Sequence, residues 1–390
     1  MKNPWGEVTG IRPVKIARNM LGTGKTEYEF KDKFINEMKV SEEKTQLTLN
    51  IAIRELNILK NFDNNDICLY IGVPFCKTRC LYCSFVTNSA AKNNKYMRPF
   101  VRNLIKEIEY TSKLLKKTKY NIVALYFGGG TPTTLSSMDL EDVIKKCYEC
   151  FDLSNIVEFT VEAGRPDTID CDKLETLKRC GVTRISINPQ TMNDNILKVI
   201  GRSHTVQEVY DSFKLARECG FNNINMDLIA GLPMETLQEF MNSVNLVTEL
   251  SPECITVHTM SIKRGSVLHE KLGDYALTNE KEVADMVNYS INKLTECNYH
   301  PYYLYRQKNM VGDFENIGYS KDGKECLYNI MIMEETNSII SMGCGGVTKI
   351  VNLPNDRIER VFNVKEAKDY VERIDEMLHR KDIILDWLNL

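Results

Sequence analysis

No run of apolar residues in this sequence approaches the roughly 20 needed to cross a bilayer, so no segment reads as a membrane span. Net charge is also lacking: the formal balance is −3 at pH 7, too small to build the basic field that attracts duplex nucleic acid. Met1-Lys2-Asn3-Pro4-Trp5-Gly6 has none of the apolar stretch of a signal peptide, and no segment is of low complexity. These absences predict a cytoplasmic chain whose thirteen cysteines, an odd number, are reduced thiols rather than disulfides. Hydrophobic residues at 43% and charged residues at 26% argue against disorder, and 390 residues are enough to bury a substantial core.

From about residue 66 a strand-then-helix grammar begins. Residues 67–73, Ile-Cys-Leu-Tyr-Ile-Gly-Val, form the near-continuous apolar run of a buried parallel strand. Met97, Phe100, Val101, Leu104, Ile105 and Ile108 then recur at helical spacing. The pattern predicts further strands at 122–127, 157–163, 183–187, 222–230 and 254–260. Helices are predicted near 138–151, 171–180, 205–219, 236–249 and 280–297. Six such units with right-handed crossovers imply an α/β fold with a parallel sheet under helices. Six are too few for a closed eight-stranded barrel, which favours an open, partial (βα)6 TIM-like barrel over a doubly wound sheet. The core is expected over 66–300, behind a mainly helical segment at 1–65 in which Ser41 reads as an N-cap. A C-terminal α+β extension over 301–390 is expected to hold a strand near 302–306, an apolar run at 338–342 and a helix near 365–379.

Ten cysteines are scattered and read as small buried hydrophobes. Cys76, Cys80 and Cys83 are clustered just after the first strand. Structural zinc wants four ligands, usually as two Cys-x-x-Cys halves, and this loop has neither a second half nor a nearby histidine. A [4Fe–4S] cluster held by three cysteines leaves one iron open to a substrate or cofactor. Gly128-Gly129-Gly130-Thr131-Pro132-Thr133 follows a strand, where glycine lets backbone approach a ligand, although a tight turn would use it too. Glu162, Gln190, Arg202 and Asp227 lie on or just beyond later strands; singly each reads as a cap or ion pair, and together they imply a polar ligand at the strand ends. Lys263-Arg264 reads either as a solvated turn or as a clamp for substrate carboxylates. Two glycine motifs fall short. Gly22-Thr23-Gly24-Lys25-Thr26 lacks both the earlier glycine of a phosphate loop, where Asn19 stands, and a preceding strand. Gly343-Cys344-Gly345-Gly346-Val347-Thr348 reads as a turn beside the active site rather than a dinucleotide fingerprint.

Tyr70-Ile71-Gly72-Val73-Pro74-Phe75-Cys76 with Cys80, Cys83 and the Gly-Gly-Gly-Thr-Pro-Thr loop resembles the oxygen-independent coproporphyrinogen III oxidase branch of the radical S-adenosylmethionine (SAM) superfamily. It is most similar to the HemZ type, through Trp5-Gly6, Thr9-Gly10-Ile11-Arg12-Pro13, Val161-Glu162-Ala163-Gly164-Arg165-Pro166 and Ile187-Asn188-Pro189-Gln190. Tyr305-Arg306-Gln307-Lys308-Asn309 and Glu315-Asn316-Ile317-Gly318-Tyr319 match as well. The resemblance implies a fold of the radical SAM type and a [4Fe–4S] cluster on Cys76, Cys80 and Cys83. It implies SAM held by Tyr70, Gly129, Gly130, Thr131, Glu162, Gln190, Arg202 and Asp227. The activity implied is reductive SAM cleavage, followed by oxidative decarboxylation of two propionates of coproporphyrinogen III to give protoporphyrinogen IX, a step of haem biosynthesis. The partners implied are a porphyrinogen substrate and a flavodoxin- or ferredoxin-like electron donor. Lys263, Arg264 and Arg306 are candidates for the remaining carboxylates. Gly72 stands where a histidine is common in the branch, and Phe85 where the established oxidases have a fourth cysteine. A sister branch, HemW, binds and delivers haem; its His-Asn-x-x-Tyr-Trp segment is replaced here by Leu327-Tyr328-Asn329-Ile330, which favours the enzyme. Action on another tetrapyrrole is the remaining alternative.

Overall fold

The computed structural model describes residues 3–10, 12–85, 88–307, 312, 314–352 and 357–388; Met1, Lys2, Ile11, Lys308 and Asn309 of the motifs above lie outside them. The fold is α/β, and all six expected strand–helix units are present. Helix starts follow the local chemistry. Ser41, Ser136 and Asp170 each accept a backbone N–H three residues on, and Thr205 with Glu208 and Thr236 with Glu239 form complete capping boxes.

The chain divides into two compact units that do not follow chain order. The larger comprises Asn64–Pro189, Gly201–Ile224 and Glu335–Leu390. Its centre is a parallel run of strands, Ile339–Gly343 against Asp66–Val73, then Asn121–Gly129, Glu158–Glu162 and Arg184–Ser186. Val347–Asn352 and Arg357–Phe362 extend the run antiparallel beyond Ile339–Gly343. Asp66–Val73 is buried at every position except Tyr70, which explains its lack of polar alternation. The apolar run expected at 338–342 is thus a central partner of the first strand. The helix expected at 365–379 is two helices, Ala367–Glu372 and Ile374–Leu388, broken at Arg373, whose backbone leaves helical values.

A buried polar network fixes the end of the Ile339–Gly343 strand. Glu107 accepts from the Gly343 N–H at 2.8 Å, from Asn363 Nδ2 at 2.7 Å and from the Tyr370 hydroxyl. Asn363 Nδ2 also donates to the Gly343 carbonyl at 2.8 Å, and Lys381 Nζ lies 3.2 Å from Glu107 Oε1 and 2.5 Å from the Ser341 carbonyl. Burial lowers the Lys381 pKa, and the adjacent Glu107 opposes that.

The second unit comprises Met1–Asp63, Gln190–Ile200 and Asn225–Glu334. In it Ile224–Ala230 pairs in parallel with Cys254–Thr259, which pairs antiparallel with Glu315–Ser320 and through that strand with His300–Arg306. The first part of the chain is helical at Pro13–Gly22, Glu27–Asp32 and Glu42–Leu59. The Gly22–Thr26 motif is the turn between the first two of these; Thr26 caps the second, and Lys25 pairs with Glu29. Trp5 is fully buried, its Nε1 donating to Glu315 Oε2 at 2.8 Å while Lys44 pairs with the other Glu315 oxygen. One carboxylate therefore ties the Trp5-Gly6 and Glu315-Asn316 motifs together.

Glu235, only 3% exposed, accepts from the Thr191 hydroxyl at 2.5 Å, and among the described residues its Oε2 has no partner. Burial, helped by the nearby Glu239 carboxylate, pushes its pKa up to about 8. The folded state therefore holds a proton that the unfolded state releases above about pH 4.3. This contribution to stability declines as pH rises from there to about 8, by an amount on the order of 5 kcal/mol, and is flat beyond. Urea unfolding at several pH values is expected to show Glu235→Gln gaining on the parent chain across that window and keeping its advantage at pH 9. Parallel curves would contradict the assignment.

Candidate active site

The cysteine loop begins where the Asp66–Val73 strand ends, and its geometry is set by close backbone packing. Gly130 N donates to the Val73 carbonyl at 2.6 Å, and Thr131 N to the Phe75 carbonyl at 2.7 Å. A Cβ on Gly130 would lie 2.6 Å from the Phe75 oxygen, and Gly129 sits at φ +107. Gly129 and Gly130 are thus needed to lay one strand end on the other. The contact brings Cys76 Sγ within 3.4 Å of Thr131 Oγ1.

Cys76, Cys80 and Cys83 are all free and partly exposed. Burial pushes the Cys76 thiol up to about 11, Thr131 pulls it down, and Cys80 and Cys83 raise it again. Burial and Cys80 raise Cys83 in the same way. Negative charge on one of these sulfurs opposes charge on the others, a conflict that a cationic iron cluster relieves. Among the described residues no group of three or more His, Cys, Asp or Glu is arranged to hold a single metal ion. Phe85 is 66% exposed, while its backbone N–H faces the Cys83 sulfur.

Tyr70 stacks on Tyr126 with ring centroids 6.1 Å apart, and the Tyr126 hydroxyl donates to Glu162 Oε1 at 2.6 Å. Burial and then Glu162 raise the Tyr70 pKa, so its hydroxyl stays protonated. Arg202 is buried and donates from Nη1 to the Gly164 and Asn188 carbonyls at 3.2 and 3.0 Å. Burial opposes its charge, but Tyr82 and Cys80 outweigh burial and secure the guanidinium. Cys76, Cys80, Cys83, Tyr70, the glycine loop, Glu162 and Arg202 all belong to the larger unit.

Gln190 and Asp227 belong to the other unit and meet there. Gln190 has left-handed backbone, φ +70, held by its N–H on the Asp227 carbonyl at 2.8 Å and its carbonyl on the Ile229 N–H at 3.0 Å. Its buried Oε1 has no partner among the described residues, as expected of a group kept for a ligand. Asp227 accepts from Asn225 Nδ2 at 2.7 Å and lies 3.7 Å from His258 Nε2. Burial raises its pKa, but His258 and Asn225 more than offset this, and it stays ionised. Asn225 was accessible from sequence, being two residues from Asp227 on one strand face; His258 comes from the adjacent strand.

Lys263 and Arg264 lie in the turn after Cys254–Thr259, Lys263 partly buried and Arg264 exposed. Arg306 is engaged within its own unit: Nη1 donates to the Val8 carbonyl at 2.9 Å, and the guanidinium stands over Trp5 at 5.4 Å. The expected turn at Gly343–Thr348 joins two antiparallel strands. The sequence reading missed Arg165 and Asp167, which grip the cysteine loop. Leu327–Glu334 is a helix with Leu327, Tyr328, Ile330 and Met331 buried.

Residues 70–247 match the radical SAM superfamily. The chain is 39% identical over 380 residues to the oxygen-independent coproporphyrinogen-III oxidase-like protein HemZ of Bacillus subtilis, covering 97% of this chain and 76% of that one. It is 30% identical to the heme chaperone HemW of the same organism, over 79% of this chain and 76% of that one. Among solved structures it resembles coproporphyrinogen III oxidase (HemN) of Escherichia coli, with a TM-score of 0.65, 22% identity and coverage of 83% and 72%.

Proposed function

This chain belongs to the radical SAM superfamily, as an oxidoreductase of the HemZ and HemN kind that works with a [4Fe–4S] cluster and SAM, and from that premise we propose that it decarboxylates coproporphyrinogen III to protoporphyrinogen IX without oxygen. The observation that carries the reading is the loop of three free thiols, Cys76, Cys80 and Cys83, packed on the Gly129-Gly130-Thr131 turn. When bound, the cluster and SAM would supply a radical able to take hydrogen from a propionate β-carbon, the chemistry that oxidative decarboxylation needs. The chain's own residues bind and orient. Cys76, Cys80 and Cys83 hold the cluster; Tyr70, Gly129, Gly130, Thr131, Glu162, Gln190, Arg202 and Asp227 hold SAM, the unpartnered Gln190 oxygen accepting from it. Lys263, Arg264 and Arg306 take substrate carboxylates, Arg306 while also fixing Val8. The HemZ relative supports this substrate, and the buried helix at Leu327–Glu334, which carries no histidine, supports an enzyme over a haem carrier.

The test is anaerobic. The reconstituted protein receives SAM, a low-potential reductant such as a reduced flavodoxin, and coproporphyrinogen III, and 5′-deoxyadenosine and porphyrinogen product are measured together. Both are expected. Deoxyadenosine without protoporphyrinogen would refute the substrate and leave another tetrapyrrole; haem binding with no deoxyadenosine would favour the carrier. Lys263→Gln with Arg264→Gln is expected to weaken porphyrinogen affinity about tenfold, about 1.4 kcal/mol, while deoxyadenosine formed without substrate stays constant. Unchanged affinity would remove both residues from the site.

A further inference from the structure

Arg165 lies outside the set of residues expected to touch cluster or SAM, yet its side chain, 3% exposed, meets the cysteine loop at both Thr78 and Cys80. Nη1 donates to the Thr78 carbonyl at 3.1 Å and reaches Cys80 Sγ at 3.9 Å. The rest of the guanidinium is held from behind: Nε meets Asp167 Oδ1 at 3.1 Å, while Nη2 meets Asp167 Oδ2 at 3.3 Å and Ser203 Oγ at 3.2 Å. The Asp167 carboxylate, 2% exposed, also accepts from Ser203 Oγ at 2.5 Å. From the loop itself Lys77 Nζ comes to 3.4 Å from Asp167 Oδ2 and donates to the Asp167 carbonyl at 3.1 Å, and the Thr78 hydroxyl donates to the Gly201 carbonyl at 2.8 Å. Lys77 and Thr78, both inside the Cys76–Cys80 spacer, are therefore moored to one buried ion pair.

A guanidinium held along its Nε–Nη2 edge by both oxygens of a buried carboxylate has little freedom to follow a moving loop. It sets the loop's position. It also aims a charged N–H at a sulfur, and hydrogen bonds to cluster sulfurs are among the factors that set reduction potential. We propose that Arg165, held by Asp167 and Ser203, is a positioning residue that shapes the cysteine loop before the cluster arrives and, through its N–H toward Cys80, makes the bound cluster easier to reduce. The reduction is a single-electron transfer from a low-potential donor to the oxidised cluster. No bond to Arg165 forms or breaks; the N–H···S contact strengthens as the cluster gains negative charge. This inference rests on the reading of Cys80 as a cluster ligand.

Full-length parent protein, Arg165→Lys and Arg165→Gln are reconstituted anaerobically. Iron and sulfide per chain are measured, and the cluster's midpoint potential is taken by redox titration followed by electron paramagnetic resonance, with no SAM turnover in the readout. Arg165→Gln is expected to load less than half as much cluster as the parent. The cluster it holds should be about tenfold harder to reduce, equivalent to about 59 mV for a one-electron couple. Arg165→Lys, which keeps the charge and one donor, should recover most of both. A parent-like potential in Arg165→Gln overturns the proposal whatever the loading. If Arg165→Gln takes up no cluster, the potential of Arg165→Lys decides, and a value more negative than that of the parent is required. A parent chain that binds no cluster overturns the ligand assignment instead.

Discussion

Alanine at any one of Cys76, Cys80 or Cys83 is expected to drop iron from about four atoms per chain to near zero and 5′-deoxyadenosine to background, because a cubane with two protein ligands is not retained. The thiol count alone does not predict this, since ten other cysteines share the chain. Environment separates the sets. Cys147 is fully buried, its thiol pushed far up by desolvation, and it behaves as a small apolar side chain. Cys147→Ala should cost about 1 kcal/mol of stability and leave iron content unchanged. In the loop burial, with a smaller push from Cys80 and Cys83, holds the Cys76 thiol up at about 11, so loading must expel a proton from it, and reconstitution should become more complete as pH rises from 6.5 to 8.5. Iron analysis and the cluster's visible absorbance check each point. A single alanine variant that kept a full cluster and cleaved SAM would refute the ligand set.

The cysteine spacing and the strand-to-helix alternation are local patterns, and local patterns carried the α/β class, the six units and most helix starts. Features made by distant partners were not readable in that way. Glu315–Ser320 contains Asn316-Ile317-Gly318, which looks like loop; it is a strand because its backbone pairs with both Cys254–Thr259 and His300–Arg306. Trp5 was noticed as a motif, but its partner Glu315 lies 310 residues away. Gly164-Arg165-Pro166 stands in the sequence as part of a family motif, and only folding shows that Arg165 grips a carbonyl 87 residues earlier. Arg306 is a candidate by its charge and its position at the end of a strand; the Val8 carbonyl that it holds belongs to a segment with no periodic signal. Two-residue offsets on one strand face, as for Asn225 and Asp227, were available and mark where a fuller reading could begin.

Restoring the branch's histidine at position 72 is expected to harm this chain severely. Gly72 pairs with Gly343 in the parallel register between Asp66–Val73 and Ile339–Gly343. A Cβ at 72 would stand 2.4 Å from the Cys344 carbonyl oxygen, a clash with backbone that no rotamer relieves. The partner cannot step aside. Gly343, at φ +83, has both its N–H and its carbonyl bound by Glu107 and Asn363, and moving it would disrupt a buried network in which Lys381 and Glu107 are paired. Gly72→His should therefore lose at least about 3 kcal/mol, and the unfolding midpoint should fall by about 5–10 °C. Gly72→Ala should lose nearly as much, since the collision begins at Cβ. Gly345→Ala is the matched control: its φ is +68, but nothing lies within 4 Å of a Cβ there, so it should show only the backbone strain of about 1 kcal/mol. Because Gly72 stands four residues before Cys76, both substitutions at 72 should also lower cluster loading, whereas Gly345→Ala should not. Thermal unfolding and iron content of the three variants test the ranking. A Gly72→His protein as stable as Gly345→Ala would mean that the two strand ends can separate, and that the glycine at 72 is not required by Gly343.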